Sequence, residues 1–514
     1  MPLPSGGTWP PRHLQPIYSH YSVLDTWYRG VPEELAALYQ GQQPANRPSQ
    51  YRGGIVGAMA RMFWGAPTPQ GERLTKLHVP VASDIATMSA DLLFSEPPTI
   101  TCENDATQAH LDDMLPQLQA TLLEGAEVGA ALGGYYLRAV WNPDVAPAPW
   151  LSAVHADAAV PEWRFGRLHA CTFWRILESD DTTCWWHLEH HQPGGIQHAL
   201  WKGAPGQLGD QMPLTAHPET EKLKPVVTTG IDRCTAVYIP NMRPNRTWRN
   251  YPAGANLGRS DFDGPVLGLM DALDETWTSW MRDIRLAKAR LIVPSSYLEN
   301  AGRGKGSYFD LDRELYEAVN PLVNSERLEI SPQQFAIRFE EHRETQAEQL
   351  AAILRATGYS GQSFGLGDDG VAITATEVSA KERRSLTTRA KKGLYTLPAL
   401  GDGLEMLLEL TAALFPDLSV TPERPTIVLA DSVSPDMLQL AQTVELLRRA
   451  DAASDETLVR MAHQDWDEEQ VQVEVQKIAD QRPDPLADLG NAFGKPPGVE
   501  PGEEGQDGPP QAER

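Results

Sequence analysis

Apolar residues recur at steps of three and four through Val266, Met270, Leu273, Trp277, Trp280 with Met281, Ile284, Ala287 and Leu291. That stripe predicts one amphipathic helix over residues 261–291. Pro265 suits a first helical turn, with Asp261 and Asp263 ahead of it as capping candidates. Asp271, Asp274 and Glu275 fall in the first half and Arg282, Arg285, Lys288 and Arg290 in the second, so charge complements the helix dipole at both ends. Roughly 27 residues at a rise of ~1.5 Å each reach about 40 Å, more than one compact core needs.

The same periodicity predicts helices over residues 21–40, 81–94 and 108–129, the second ended by Pro97 and Pro98. Residues 1–20, rich in Pro, Gly and Ser, read as an arm. Patterning then shifts to alternation: a strand at 135–141, short strands through 150–201 with a turn at Pro193-Gly194-Gly195, and a strand pair at 226–239. A basic, Pro- and Asn-rich connector leads into the long helix. Beyond it, residues 294–342 predict a small mixed module with strands at 327–330 and 335–339, followed by a helix at 345–356 and a glycine-rich loop at 358–370. The capping box Ser379–Glu382 opens a second long helix through Leu386, Ala390, Leu394, Leu397, Leu400, Leu404, Leu407, Thr411 and Leu414. Gly393, Pro398, Gly401 and Gly403 predict a bend in it. Residues 436–451 and 454–480 predict a helical hairpin, and the Pro, Gly and acid composition after Pro483 predicts a disordered tail.

Composition narrows the function classes. The 514 residues carry 44 basic against 69 acidic side chains, a net charge of −25, which argues against tight nonspecific binding of nucleic acid by the whole surface. Cys102, Cys171, Cys184 and Cys234 lie far apart without ligand-like spacing, so neither zinc nor a disulfide framework is indicated and a reducing cytoplasm is expected. The first residues lack the pattern of a secretory signal and no apolar run is long enough to span a bilayer, so a soluble protein with no membrane partner is expected.

Five motifs bear on chemistry. Gly361-Gln362-Ser363-Phe364-Gly365 matches G-x-S-x-G, but a nucleophile elbow needs a strand before its serine and a helix directly after; here a helix precedes and more glycine follows. His187, Glu189, His190 and His191 resemble a metal cluster, yet strand alternation puts His190 on the opposite face, and they read as surface histidines near a hairpin. Gly302-Arg303-Gly304-Lys305-Gly306-Ser307 lacks the spacing of a phosphate loop and reads as a mobile basic loop. Trp163, Trp174, Trp185, Trp186, Trp201 and Trp248 suit core and interface anchoring better than base stacking. The basic run Lys381, Arg383, Arg384, Arg389, Lys391 and Lys392 is expected to pair with acidic neighbours, on this chain or another subunit. No catalytic residue, cofactor site or metal site is assigned; a serine hydrolase using Ser363 stands as the enzymatic alternative.

The order of these elements, with LHVPVASDIATMSADLLFSEPPTI (77–100), ALGGYYLRAVW (131–141), YIPNMRPN (238–245), GRSDFDG (258–264), LMDALDETWTSWMRDIRLAKARLIVP (269–294) and TATEV (374–378), resembles the portal proteins of tailed bacteriophages, in the actinobacteriophage branch related to the Bacillus phage SPP one type. The resemblance implies an α+β fold assembled as a ring. In it, an N-terminal arm (1–20) and β-rich wing (21–257) lead to a stem helix (258–291), an α/β clip (292–342) and a returning stem helix (343–358). A tunnel loop (359–375), a kinked wing helix and strand (376–431), a helical crown (432–482) and an acidic tail (483–514) complete the chain. The ring, commonly of twelve subunits, would sit at one capsid vertex of the virion after assembly in the bacterial cytoplasm. Double-stranded DNA would pass through it; terminase large subunit and a head–tail adaptor would dock on it, and major capsid or scaffolding protein would surround it. Ser360, Gln362, Ser363, Phe364, Asp368 and Asp369 would face DNA from the tunnel loop; Leu273, Trp277, Trp280 and Ile284 would pack between stems; Arg303 and Lys305 would form the clip tip. Another ring-forming head–tail connector, without the long stem, is the nearest alternative.

Overall fold

Gly30 decides how the chain begins. The computed structural model describes residues 3–4, 6–42, 76–286, 290–292, 299–300, 307–308, 331–333, 337–365, 375–429, 437–463, 466 and 468–481. A short strand β1 (Gly7–Thr8) leads to α1 (Gln15–Arg29) and α2 (Pro32–Gln42), where the sequence predicts one helix. Gly30 takes the left-handed conformation at φ 61° and ends α1, and Pro32 opens α2. Next come α3 (Val81–Phe94), as expected, β2 (Thr99–Thr101) and α4 (Asp105–Leu132). The last starts earlier than its apolar stripe indicates because the Asn104 side chain accepts from the Thr107 N–H at 3.0 Å.

Nine strands follow: β3 (Gly134–Val140), β4 (Trp150–His155), β5 (Ala159–Arg164), β6 (Arg167–Ser179), β7 (Cys184–Gln192), β8 (Gly195–Ala204), β9 (Gln207–Met212), β10 (Val226–Thr228) and β11 (Ala236–Pro240). A seven-stranded antiparallel sheet runs β1-β9-β8-β7-β6-β5 with β10 on β8, and a second sheet runs β11-β3-β4. The expected strand pair at 226–239 therefore divides between two sheets. Nor is the N-terminal segment a free arm, since β1 pairs with β9, Trp9 is buried, and α1 already begins at Gln15.

The long helix α5 (Pro265–Leu286) is shorter than the predicted 261–291 at both ends. Asp261 is buried in side-chain contacts ahead of it, and beyond it β12 (Arg290–Ile292) is extended. Short strands β13 (Glu299–Asn300), β14 (Ser307–Tyr308) and β15 (Ser331–Gln333) follow; β12 pairs with β15 and β13 with β14. The returning helix α6 (Phe339–Thr357) takes in Phe339, which the sequence predicts to end a strand. α7 (Ala375–Leu414) is one helix of 40 residues, continuous through Pro398. β16 (Thr426–Val428) closes back on β2. Arg303, Lys305, Asp368, Asp369, the expected strand at 327–330 and the expected acidic tail lie outside the described residues.

Residues 1–432 form one compact unit. Its β3 lies between two cores: Tyr136 packs with Ile17, Trp27, Ile85, Phe262, Leu273 and Ile353, while Tyr135 and Leu137 face Phe94, Leu122, Leu404 and Leu407. Each such fully buried side chain contributes about 1.5–3 kcal/mol. Residues 433–514 form a second unit with α8 (Met437–Arg449), α9 (Asp455–Ala462) and α10 (Glu468–Gln481). Its predicted second hairpin arm is two helices rather than one. Ser454 caps α9 by accepting from the Thr457 N–H at 3.3 Å, and α9 ends at His463 while Leu458, Val459 and Val471 are buried.

Candidate functional site: the junction of the long helices

α5, α6 and α7 converge on one carboxylate. Asp261 Oδ2 accepts from Lys392 Nζ at 2.6 Å and from the Tyr359 hydroxyl at 2.8 Å, and its Oδ1 accepts from Asn241 Nδ2 at 2.8 Å. The Asp261 backbone N–H donates to the Ala130 carbonyl at 2.9 Å. Lys392 also donates to Ser89 on α3. Burial pushes the Lys392 ammonium down from its ordinary pKa, and the Asp261 charge opposes that shift. Five segments of chain are tied here by charge-assisted hydrogen bonds shielded from water.

The sequence offers a signal for this junction that the apolar stripe of α7 hides. Leu394 is 71% exposed and Ala390 is exposed, so the stripe through Leu386, Ala390 and Leu394 does not face the core. The buried face instead runs Ser385, Thr388, Lys392, Thr396 and Leu400, at steps of three and four, with its first turns polar. Of the basic run, Lys392 pairs with Asp261 within the chain, and Arg389 Nε donates to the Leu92 carbonyl at 2.6 Å.

The segment after α6 packs on this polar face. Gly358 ends α6 at φ 94°, and its carbonyl accepts from Thr388 Oγ1 at 2.6 Å. A Cβ at Gly358 would lie 2.8 Å from that oxygen. Ser360, Gln362, Ser363 and Phe364 form a half-buried turn rather than an open loop. Ser363 Oγ lies 2.9 Å from Ser360 Oγ and 2.8 Å from Ser385 Oγ, and Phe364 meets Tyr359 edge-on. The partners of Ser363 are hydroxyls, and the turn is 3₁₀, without the strand–helix geometry of a nucleophile elbow.

α5 and α6 lie side by side. Trp280 stacks on His342 with ring centroids 5.9 Å apart and meets Phe339 at 5.7 Å and Trp277 at 5.5 Å. Asp283 accepts from Arg338 at 2.8 Å and lies 3.0 Å from His342 Nε2. Of the four residues named for packing between stems, Leu273 is buried in the chain's own core, Trp277 and Trp280 are half-covered, and Ile284 is 38% exposed. Ile337 and Phe339, on either side of Arg338 in the sequence, are exposed as well.

The acidic face of α5 is occupied. Residues 76–79 run along it: Lys76 Nζ donates to Asp271 at 2.7 Å, His78 Nδ1 lies 2.9 Å from Asp274 Oδ2, and the Leu77 N–H donates to Thr278 Oγ1 at 2.9 Å. Asp274, buried, also accepts from the Val79 N–H.

In the seven-stranded sheet the histidines of β7 are buried, not on the surface: His187, His190 and His191 all lie within, because both faces of β7 are covered. Among the described residues, no group of three or more His, Cys, Asp or Glu side chains is arranged to hold a metal ion, the cysteines are free thiols, and no helix is long and apolar enough to cross a membrane.

No family model and no curated protein matches the chain. Among solved structures it is similar to the neck of a native GTA particle computed with C12 symmetry, at 15% identity and a TM-score of 0.37, over 77% of this chain and 89% of that one. It is also similar to the neck of an empty GTA particle computed with C6 symmetry, at 14% identity and a TM-score of 0.40, over 83% of this chain and 97% of that one.

Proposed function

We propose that the chain is a subunit of a ring-shaped conduit of the phage portal type, twelve copies enclosing a channel at one capsid vertex through which DNA enters and leaves. The observation that carries this reading is the pair α5 and α6, two long adjacent helices with residues 287–338 between them, joined at their base to α7 through Asp261 and Lys392. That arrangement suits a stem projecting from a β-rich body and ending in a small docking module.

In this reading the module at 292–342, with Arg303 and Lys305 at its tip, receives the terminase large subunit and later the head–tail adaptor. The body meets capsid or scaffolding protein. The turn with Ser360, Gln362, Ser363 and Phe364, continued by Asp368 and Asp369, borders the channel. Twelve copies at −25 carry about −300, and an acidic conduit repels phosphate, so DNA slides without being held. The protein performs no catalysis of its own and takes no cofactor.

Class-averaged top views of purified protein in negative stain test the reading: rings with an open centre are expected, and their subunits can be counted. Protein that stays monomeric at high concentration and low salt counts against it. A ring that captures adaptor but no terminase large subunit would make it another head–tail connector.

A further inference from the structure

The hairpin that joins β5 to β6 turns on two residues, Phe165 and Gly166, with Arg164 opposite Arg167. Phe165 has φ 48° and Gly166 φ 81°, the paired left-handed conformations of a type I′ turn. Asn-Gly is the usual choice there, because a bulky side chain at the first position strains the backbone. Phe165 is fully exposed, so no packing within the chain offsets that strain. Arg164 and Arg167 are exposed too, and like charges directly opposite on a strand pair repel. Among the described residues no carboxylate pairs with either. Local stability is given up for a cationic, aromatic tip on a chain of net charge −25.

A face of the opposite character lies at the far end of β3. Trp141, just past that strand, meets Phe415 edge-on with ring centroids 5.0 Å apart, and Trp141 and Val145 are 49% and 69% exposed. Leu414 and Leu418, flanking Phe415 in the sequence, are exposed as well. Asp144 and Asp417 stand next to Val145 and Leu418, both open to solvent. Lys222 reaches Asp144 at 3.1 Å, an exposed pair worth little, and Asp417 has no cationic partner among the described residues. The tip, by contrast, sits at the start of β3. A Cβ at Gly166 would lie 3.7 Å from Asn256 Oδ1; two residues on, the Gly258 N–H donates to the Tyr238 hydroxyl, which donates to the Gly133 carbonyl at 3.3 Å. From Gly134 to Val140 the strand covers about 20 Å at ~3.3 Å per residue, so one chain cannot bring its tip to its own face.

We propose that the hairpin tip of one copy docks on the Trp141–Phe415 face of the next, with Phe165 on the exposed aromatic pair and Arg164 and Arg167 against Asp144 and Asp417. The proposal rests on the ring reading above and names one contact between its copies. The two surfaces differ, so the contact is head-to-tail, the kind that closes into a ring when its rotation allows. Duplex DNA would pair with the arginines but leave the Phe165 ring in water, whereas a face that sets apolar surface among carboxylates takes up both.

Cross-linking of the full chain with a short bismaleimide tests it. Arg167→Cys mixed with Val145→Cys should give covalent dimers, and a chain carrying both substitutions should give a ladder of higher multimers. Each single variant alone should stay at the background of the native chain, whose Cys102 is half-buried and whose other thiols are buried. Arg167→Cys mixed with Val226→Cys, exposed on β10, should also stay there. Phe165→Asn should raise the melting midpoint of the dissociated chain, because asparagine suits the turn, yet raise the concentration at half-assembly by about tenfold or more. No dimer from the Arg167 and Val145 pair, an equal yield with Val226→Cys, or native assembly by Phe165→Asn overturns the proposal. Rings in negative stain without the cross-link sink this contact and leave the ring reading standing, while cross-linked pairs that never close into rings do the reverse. Duplex DNA held through Arg164 and Arg167, without the cross-link, would make the tip a nucleic-acid contact instead.

Discussion

Lys392 and Asp261 form an ion pair 2.6 Å long whose side chains are 2% and 1% exposed. Removing one partner strands the other charge in a dry environment. Lys392→Met is expected to lower unfolding free energy by about 3–5 kcal/mol in urea titration, and adding Asp261→Asn to recover part of that loss. A single variant as stable as the native chain would show that the carboxylate finds another partner.

Gly358 is held in a conformation that other residues reach at a cost. Gly358→Ala is expected to destabilise by about 1–3 kcal/mol, from the backbone at φ 94° and from the approach to Thr388 Oγ1. Pairing it with Thr388→Ala relieves the contact but not the backbone strain, so the double variant should regain only part of the midpoint in thermal melts.

The exposed end of the α5–α6 pair, away from Asp261, is the surface on which the proposed ring depends. Ile284→Glu and Phe339→Glu, at side chains 38% and 50% exposed, should give chains with native circular dichroism that sediment as monomers. Leu273→Ala should act differently, lowering stability by about 2–5 kcal/mol, because that side chain is buried in its own chain. Rings that persist in both glutamate variants would move the interface to another face of the stem.

Acid should weaken the body of the protein before it titrates ordinary carboxylates. Burial, with the neighbouring His198, lowers His187 from 6.5 to about 4, and burial also lowers His198 and His190. Between those values the unfolded chain binds more protons than the folded one, so stability falls as pH drops from 6.5 towards 4 and His187 adds no further loss below that. His187→Gln should flatten the slope of urea midpoint against pH in this window by removing about 3 kcal/mol of linkage. An unchanged slope would mean that another buried group carries it.

Elements driven by a strong local period were legible in the sequence; those decided by distant partners were not. Residues 81–94 formed their predicted helix because Ile85, Ala86, Ala90 and Phe94 bury on one face and two prolines follow. The strand at 135–141 was also recognisable, since Gly133 and Gly134 mark its start. The first half of α7 departs from its apolar period because its core-facing positions are Ser385, Thr388 and Lys392, polar side chains met by Ser89, Asp261 and Gly358. Asp261 and Asp263 looked like helix caps by position; instead they pair with Lys392 and with His20 and Thr247. The burial of the β7 histidines is invisible to alternation, which identifies a face but not whether other structure covers it.

The strip formed by residues 76–79 also sets a timetable for synthesis. Lys76, Leu77, His78 and Val79 find their partners on α5 about 200 positions later, at Asp271, Asp274 and Thr278. A nascent chain therefore exposes this strip to the cytosol until the ribosome has released the long helix. At speeds of about 5–20 residues per second that interval lasts from roughly ten seconds to most of a minute. During it, His78 and the backbone at Leu77 and Val79 are hydrated rather than docked, and α5 must form before they can bury.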